Sequence, residues 1–161
     1  MKIIKNVLII LLIAFVLIQF YPPEKNLSDS VPETDIIVMT DPPETVKTIL
    51  KTSCYDCHSN TTNYPWYNAV VPVSYWLADH IKHGKEHLNF SEWGTYNTKK
   101  KAHKLEELTE EVKKREMPLN SYLWVHGDAR LSDEQIKALT GWADALRLSY
   151  RSAATPQQER P

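Results

Sequence analysis

Both cysteines of this chain lie within a span of four residues, and a histidine follows directly: Cys54-Tyr55-Asp56-Cys57-His58. Two cysteines in 161 residues cannot make a disulfide-dense scaffold, so the pair has another purpose. The spacing is C-x-x-C-H, the attachment motif for c-type haem. Two thiols at this separation add to the two vinyl groups of haem as thioethers, and the adjacent imidazole turns inward to ligate iron. Chance produces the pattern in a chain of this composition on the order of one time in a thousand. Two other readings use the same residues. A thioredoxin-like redox pair wants a βαβ context, which is absent. Half of a zinc site would need histidines to complete it, because there is no second cysteine pair.

The N-terminus bears on this choice. From Val7 to Phe20 every residue but Gln19 is apolar, Lys2 and Lys5 precede the run, and Tyr21-Pro22-Pro23-Glu24 follows it. Counted from Ile3 to Tyr21 the segment has 19 residues, about 28 Å as a helix, against a hydrocarbon core of roughly 30 Å. No A-x-A-like cleavage site follows. Residues 1–21 therefore read as an uncleaved transmembrane anchor rather than a cleaved signal. The lysines keep that end in the cytoplasm and export the rest to the periplasm, where c-type haem is attached. The expected location is the inner membrane, with the remainder of the chain facing the periplasm.

Removing residues 1–21 leaves 17 basic and 20 acidic side chains, a net −3 with no polybasic stripe, so nucleic acid is not an expected partner. The four glycines are scattered and form no phosphate-binding loop. Residues 22–43 hold five of the ten prolines and read as an extended linker, within which Ile36-Ile37-Val38-Met39 is a candidate short strand or docking contact. Residues 152–161 read as a disordered tail. The folded domain expected is then 44–151.

Within it the periodicity is helical and no sheet is expected. Glu44–Ser53 places Val46, Ile49 and Leu50 on one face, continuing to Cys54 and Cys57. Pro72–Lys82 carries Val73, Trp76, Leu77, His80 and Ile81, with Gly84 as a C-terminal stop. Lys101–Glu116 carries Leu105, Leu108 and Val112 and ends at Pro118. Ser132-Asp133-Glu134-Gln135 is a capping box opening a last helix with Ile136, Leu139, Ala143, Leu146 and Tyr150 inward.

Electron-transfer haem usually takes a second axial ligand, often Met. The candidates after the motif are Met117 and His80, His83, His87, His103 and His126. Met117 is favoured: Pro118 leaves its thioether on a short, stiff loop, and no other methionine lies in the folded domain. His80, His83 and His87 share a helical spacing, but their charged neighbours suggest a solvated surface. His103 lies in a basic run, a docking patch or a solvated helix start. His126 reads as a loop residue. Glu106, Glu107, Glu110 and Glu111 read as a solvated face with nearby lysines. Tyr64, Trp66, Tyr67, Tyr75, Trp76, Trp93, Tyr96 and Trp124 read mostly as core, some of them as a haem wall. A backbone carbonyl is expected to accept the second imidazole N–H of His58.

Several rarer words occur in order across residues 45–147: Cys54-Tyr55-Asp56-Cys57-His58-Ser59-Asn60, Tyr64-Pro65-Trp66-Tyr67, Pro72-Val73-Ser74-Tyr75-Trp76-Leu77, Leu88-Asn89-Phe90-Ser91-Glu92-Trp93-Gly94, Lys101-Ala102-His103-Lys104-Leu105-Glu106-Glu107 and Glu116-Met117-Pro118-Leu119. In these words the chain resembles the bacterial haem-binding domain family, c-type cytochrome-like exported proteins. The resemblance implies an all-α, cytochrome c-like domain with one haem c on Cys54, Cys57 and His58. The Met-Pro word of such cytochromes matches Met117-Pro118. The expected function is a membrane-tethered monohaem c-type cytochrome passing single electrons to a periplasmic partner, without an enzymatic activity of its own. A haem-based sensor or small-ligand-binding module is the alternative.

Overall fold

Each expected helix has a local cause that the structure, a computed structural model describing residues 1–154, bears out or redirects. The elements are α1 (Lys2–Ile18), α2 (Ile36–Thr40), α3 (Glu44–Ser53), α4 (Tyr55–His58), α5 (Val73–His87), α6 (Thr98–Lys113), α7 (Asn120–Leu123) and α8 (Asp133–Ala154). Short 3-10 turns occur at Trp66–Ala69, Phe90–Thr95 and Gly127–Ala129. The architecture is all-helical, with no strand among the described residues.

The α6–α8 pair forms the backbone of the core. Leu105, Leu108 and Val112 of α6 meet Leu139 and Ala143 of α8, and α3 adds Val46, Ile49 and Leu50. The expected capping box holds at α8: Ser132 Oγ accepts from Gln135 N at 3.2 Å, and Ser132 N donates to Gln135 Oε1 at 2.9 Å. The acidic face of α6 is not simply solvated. Glu106 accepts from Arg147 of α8 at 2.6 Å, while Glu107 takes Lys104 at 2.6 Å and His103 at 3.1 Å.

Helix α6 begins at Thr98, three residues earlier than expected, because the Asn97 side chain accepts from Lys100 N at 2.8 Å. It also ends before Pro118. Arg115 adopts φ 60, Arg115 N donates to Val112 O at 3.1 Å, and Glu116 N donates to Glu111 O at 3.0 Å. That is a Schellman reversal built without glycine. The left-handed backbone costs Arg115 about 1 kcal/mol. Its guanidinium is held by Leu131 O and the Asp133 carboxyl at the start of α8.

Gly84 does not stop α5, which runs on to His87. A β-carbon at Gly84 would stand 2.6 Å from Cys57 O. Glycine is there because α5 and the cysteine motif approach backbone to backbone.

The N-terminal third differs from expectation in two places. The segment 22–43 is not wholly an extended linker. Asp35 caps α2 by accepting from Ile37 N at 2.9 Å, and both Asp35 and Ile36 are buried. Ile36 belongs to the same core as α3, α6 and α8. The local composition is polar and proline-rich, but tertiary contacts supply what periodicity lacks. The expected 19-residue transmembrane helix is likewise shorter: α1 has 17 residues, and no helix among the described residues is long and apolar enough to cross a membrane. Gln19 ends it by turning its amide onto the backbone of Val71. At the other terminus α8 continues through residues 152–154 of the expected tail, and the rest of that tail lies outside the described residues.

Candidate functional site

The motif sits at a break between two helices. Cys54 ends α3 with φ −130 and ψ −41, and Tyr55–His58 make a separate turn, α4. Both thiols are half-buried, and Cys54 packs against the core that α3 lines with Val46, Ile49 and Leu50. Burial pushes the Cys54 thiol up to about 12, with Cys57 beside it adding to the shift. Burial and then the charge of Asp56 push Cys57 up to about 11. A thioredoxin-like pair works through a thiolate whose pKa is lowered, so these thiols do not fit that chemistry. Zinc fares no better: no group of three or more His, Cys, Asp or Glu side chains able to hold a metal occurs among the described residues.

The donor set does fit haem. His58 Nδ1 donates to Leu88 O at 2.9 Å. A carbonyl can only accept, so the proton is on Nδ1 and Nε2 is the nitrogen left to bind iron. Burial lowers the pKa of His58, which favours the neutral imidazole that a metal requires. The ring stands edge-on to Phe90 at 6.0 Å, and Tyr55 stacks on the same Phe90 at 5.3 Å. Leu88 and Phe90 lie between α5 and α6, where sequence periodicity is silent, so the predicted carbonyl partner could not be named from the sequence.

Met117 is half-buried against the core that also receives Cys54 and Tyr55. The loop beyond it is fastened by Tyr122 of α7, whose hydroxyl donates to Asp56 Oδ2 at 2.8 Å. Tyr122 stacks on His126 at 4.1 Å, and His126 Nε2 pairs with the Tyr67 hydroxyl at 2.9 Å. Asp56 thus sits at the centre of a polar net, since it also accepts from Asn63 N at 3.0 Å and its carbonyl from Thr62 Oγ1 at 2.6 Å. Asp56, Tyr67, Tyr122 and His126 are site residues that the sequence reading did not single out as a group. The one available signal was the carboxyl inside the motif itself. A second latch is Tyr55, whose hydroxyl donates to the buried Asp35 at 2.7 Å.

The remaining candidates are placed elsewhere. His80 and His83 direct Nδ1 to carbonyls one turn back, Trp76 O and Asp79 O, each at 2.9 Å. They do not combine with His87 into a metal site. His103 pairs with Glu107 on the outer face of α6. Of the aromatics, Trp93 and Tyr96 are core and Tyr64 and Tyr67 are half-buried, but Trp66, Tyr75, Trp76 and Trp124 are exposed, contrary to a mainly internal role.

No curated protein and no solved structure matches the chain. Residues 13–145 match the haem-binding domain family, a stretch that takes in α2 to α7, most of α8, the cysteine motif and the Met117 loop. With its thiol pair, its oriented histidine and this match over most of its length, the chain belongs to the haem-binding domain family.

Proposed function

We propose that the protein is a monohaem c-type cytochrome, tethered to the inner membrane by its N-terminal helix, that passes single electrons to a partner protein in the periplasm. The observation that carries this reading is the orientation of His58. Its Nδ1–H is committed to Leu88 O beside two free thiols, which leaves Nε2 for iron and the thiols for thioether bonds. Cys54 and Cys57 would hold the haem c covalently, His58 would be the proximal ligand and Met117 the distal one. Bound there, the haem supplies a one-electron ferric–ferrous couple. The protein's share is positional: Leu88 fixes the His58 ring, and the Arg115 turn and the Tyr122–Asp56 bond hold the loop that carries Met117. With both residues as ligands the bound iron would have no open position, which favours electron transfer over catalysis.

The membrane reading rests on α1. Residues 2–18 are all exposed, contain no acid and begin with Lys2 and Lys5. The helix is about 26 Å long, and turn hydrogen bonds follow it from Gln19 to Tyr21.

Mass spectrometry of the exported protein tests the assignment. The intact chain should carry the full mass of one haem, and the double variant Cys54→Ser/Cys57→Ser should carry none. An intact chain without the added mass overturns the c-type reading. Adding CO to the reduced protein tests the iron: slow or no binding is expected, becoming rapid in Met117→Ala. Immediate, complete CO binding by the unaltered protein would instead mean an open position and a ligand-binding module.

A further inference from the structure

From Ser59 to Ala78 the chain has no charged side chain, although 24% of its residues are charged overall. This stretch includes the 3-10 turn Trp66–Ala69 and the first turns of α5. Its Trp66, Val70, Val73, Tyr75 and Trp76 are exposed, Trp66 at 84%. Exposed aromatics mixed with valine, without charge, are unusual for a surface that meets only water.

The same stretch is fastened to the foot of α1. Gln19 Nε2 donates to Val71 O at 2.9 Å and Val71 N donates to Gln19 Oε1 at 3.0 Å, a two-point clamp on a buried residue. The Tyr75 hydroxyl donates to Tyr21 O at 2.7 Å. A few residues on, Asn26 is stitched to Ser59 O, Thr62 and the Tyr64 hydroxyl. The chain therefore leaves the apolar helix with no free length before it joins the domain. A domain attached this way cannot swing on a tether, and the face beside the attachment point is the one that meets whatever surrounds the end of α1.

We infer that this uncharged face, Trp66 to Trp76, lies against the lipid surface and sets the orientation of the haem domain on the membrane. The inference rests on reading α1 as the anchor. Lipid is the occupant because the face is continuous with α1 and with exposed Phe20 and Tyr21, and because Trp and Tyr among aliphatic residues suit the boundary between headgroups and acyl chains. The stretch itself carries no charge, although Lys25 lies over the Tyr64 ring at 5.5 Å, so the contact of Trp66 to Trp76 with lipid should not need anionic headgroups. The orientation matters for the site, since α5 also touches Cys57 through Gly84, and Tyr67 of the same stretch joins the Asp56 net through His126.

The test uses the full-length, haem-loaded protein in vesicles of phosphatidylcholine. The photoreactive residue benzoylphenylalanine replaces, one at a time, Leu11 in α1, Val73 in the face and Glu110 on the outer side of α6. After illumination, mass spectrometry identifies lipid adducts. Adducts at positions 11 and 73 but not 110 are expected, unchanged in high salt. Gln19→Ala should lower the yield at 73 several-fold and leave 11 as it was. An adduct at 11 with none at 73, or cross-linking of 73 to a second copy of the chain, overturns the inference while the anchor stands. An unchanged yield at 73 in Gln19→Ala overturns the clamp as the orienting device. Loss of the adduct at 11 overturns the anchor reading itself.

Discussion

A β-carbon at position 84 has nowhere to go. Its nearest neighbours would be the carbonyl oxygen of Cys57 at 2.6 Å and the Cys57 carbonyl carbon at 3.2 Å, and backbone does not yield as a side-chain end would. Gly84→Ala should therefore destabilise the fold by about 1–3 kcal/mol, as overpacking does. Gly141 in α8 has open space around it. There the same substitution adds helix propensity alone and should stabilise by about 0.5–1 kcal/mol. Urea midpoints of the two variants, measured side by side, check the contrast; equal shifts would mean that α5 and the motif are further apart. His58 is the other residue whose setting matters at this scale, because one hydrogen bond to Leu88 decides which nitrogen is available.

At the scale of elements, α2 is the test of how much of the chain belongs to the folded unit. It has only five residues, too few to be stable by itself. It persists because Ile36 fills the core, Asp35 caps it and receives Tyr55, and Gly94 N donates to Thr34 O at 2.8 Å. Ile36→Ala should lower unfolding free energy by about 2–4 kcal/mol. A loss below about 0.5 kcal/mol in chemical denaturation would return residues 34–40 to the linker, since that is what a surface substitution gives. The Schellman reversal after α6 is a second element-level device. It turns the chain back before Met117, and Tyr122 fastens the loop beyond it to Asp56.

For the whole molecule, the division of labour falls between α1 and everything else. No residue of α1 is buried, so it adds nothing to the hydrophobic core. Removing residues 2–18 should leave the melting temperature within about 2 °C, whereas removing residues 2–40 should abolish cooperative melting, because Ile36 and the Asp35–Tyr55 latch go with it. Differential scanning calorimetry of the two truncations separates these outcomes.

Much of this was legible in the residue order because its causes are local. Cys54, Cys57 and His58 lie within five residues, and their spacing alone is enough to read the motif. Helix α3, the inward stripe of α6 and the capping box of α8 follow from periodicity and from side chains within one turn of the backbone they serve. What the sequence left open depends on residues distant along the chain. Leu88 reaches His58 from 30 positions away, Tyr122 reaches Asp56 from 66, and Gln19 reaches Val71 from 52. Gly84 reads as a helix stop until Cys57 is seen against it, and Ile36 as linker until the core closes over it. The sequence by itself determined the cofactor-binding motif and the helical class, because these rest on short-range covalent and hydrogen-bonding rules. Only the tertiary structure decided the histidine's tautomer, the bond between Tyr122 and Asp56 and the clamp of Gln19 on Val71, because each of these is made by packing between segments that the chain order keeps apart.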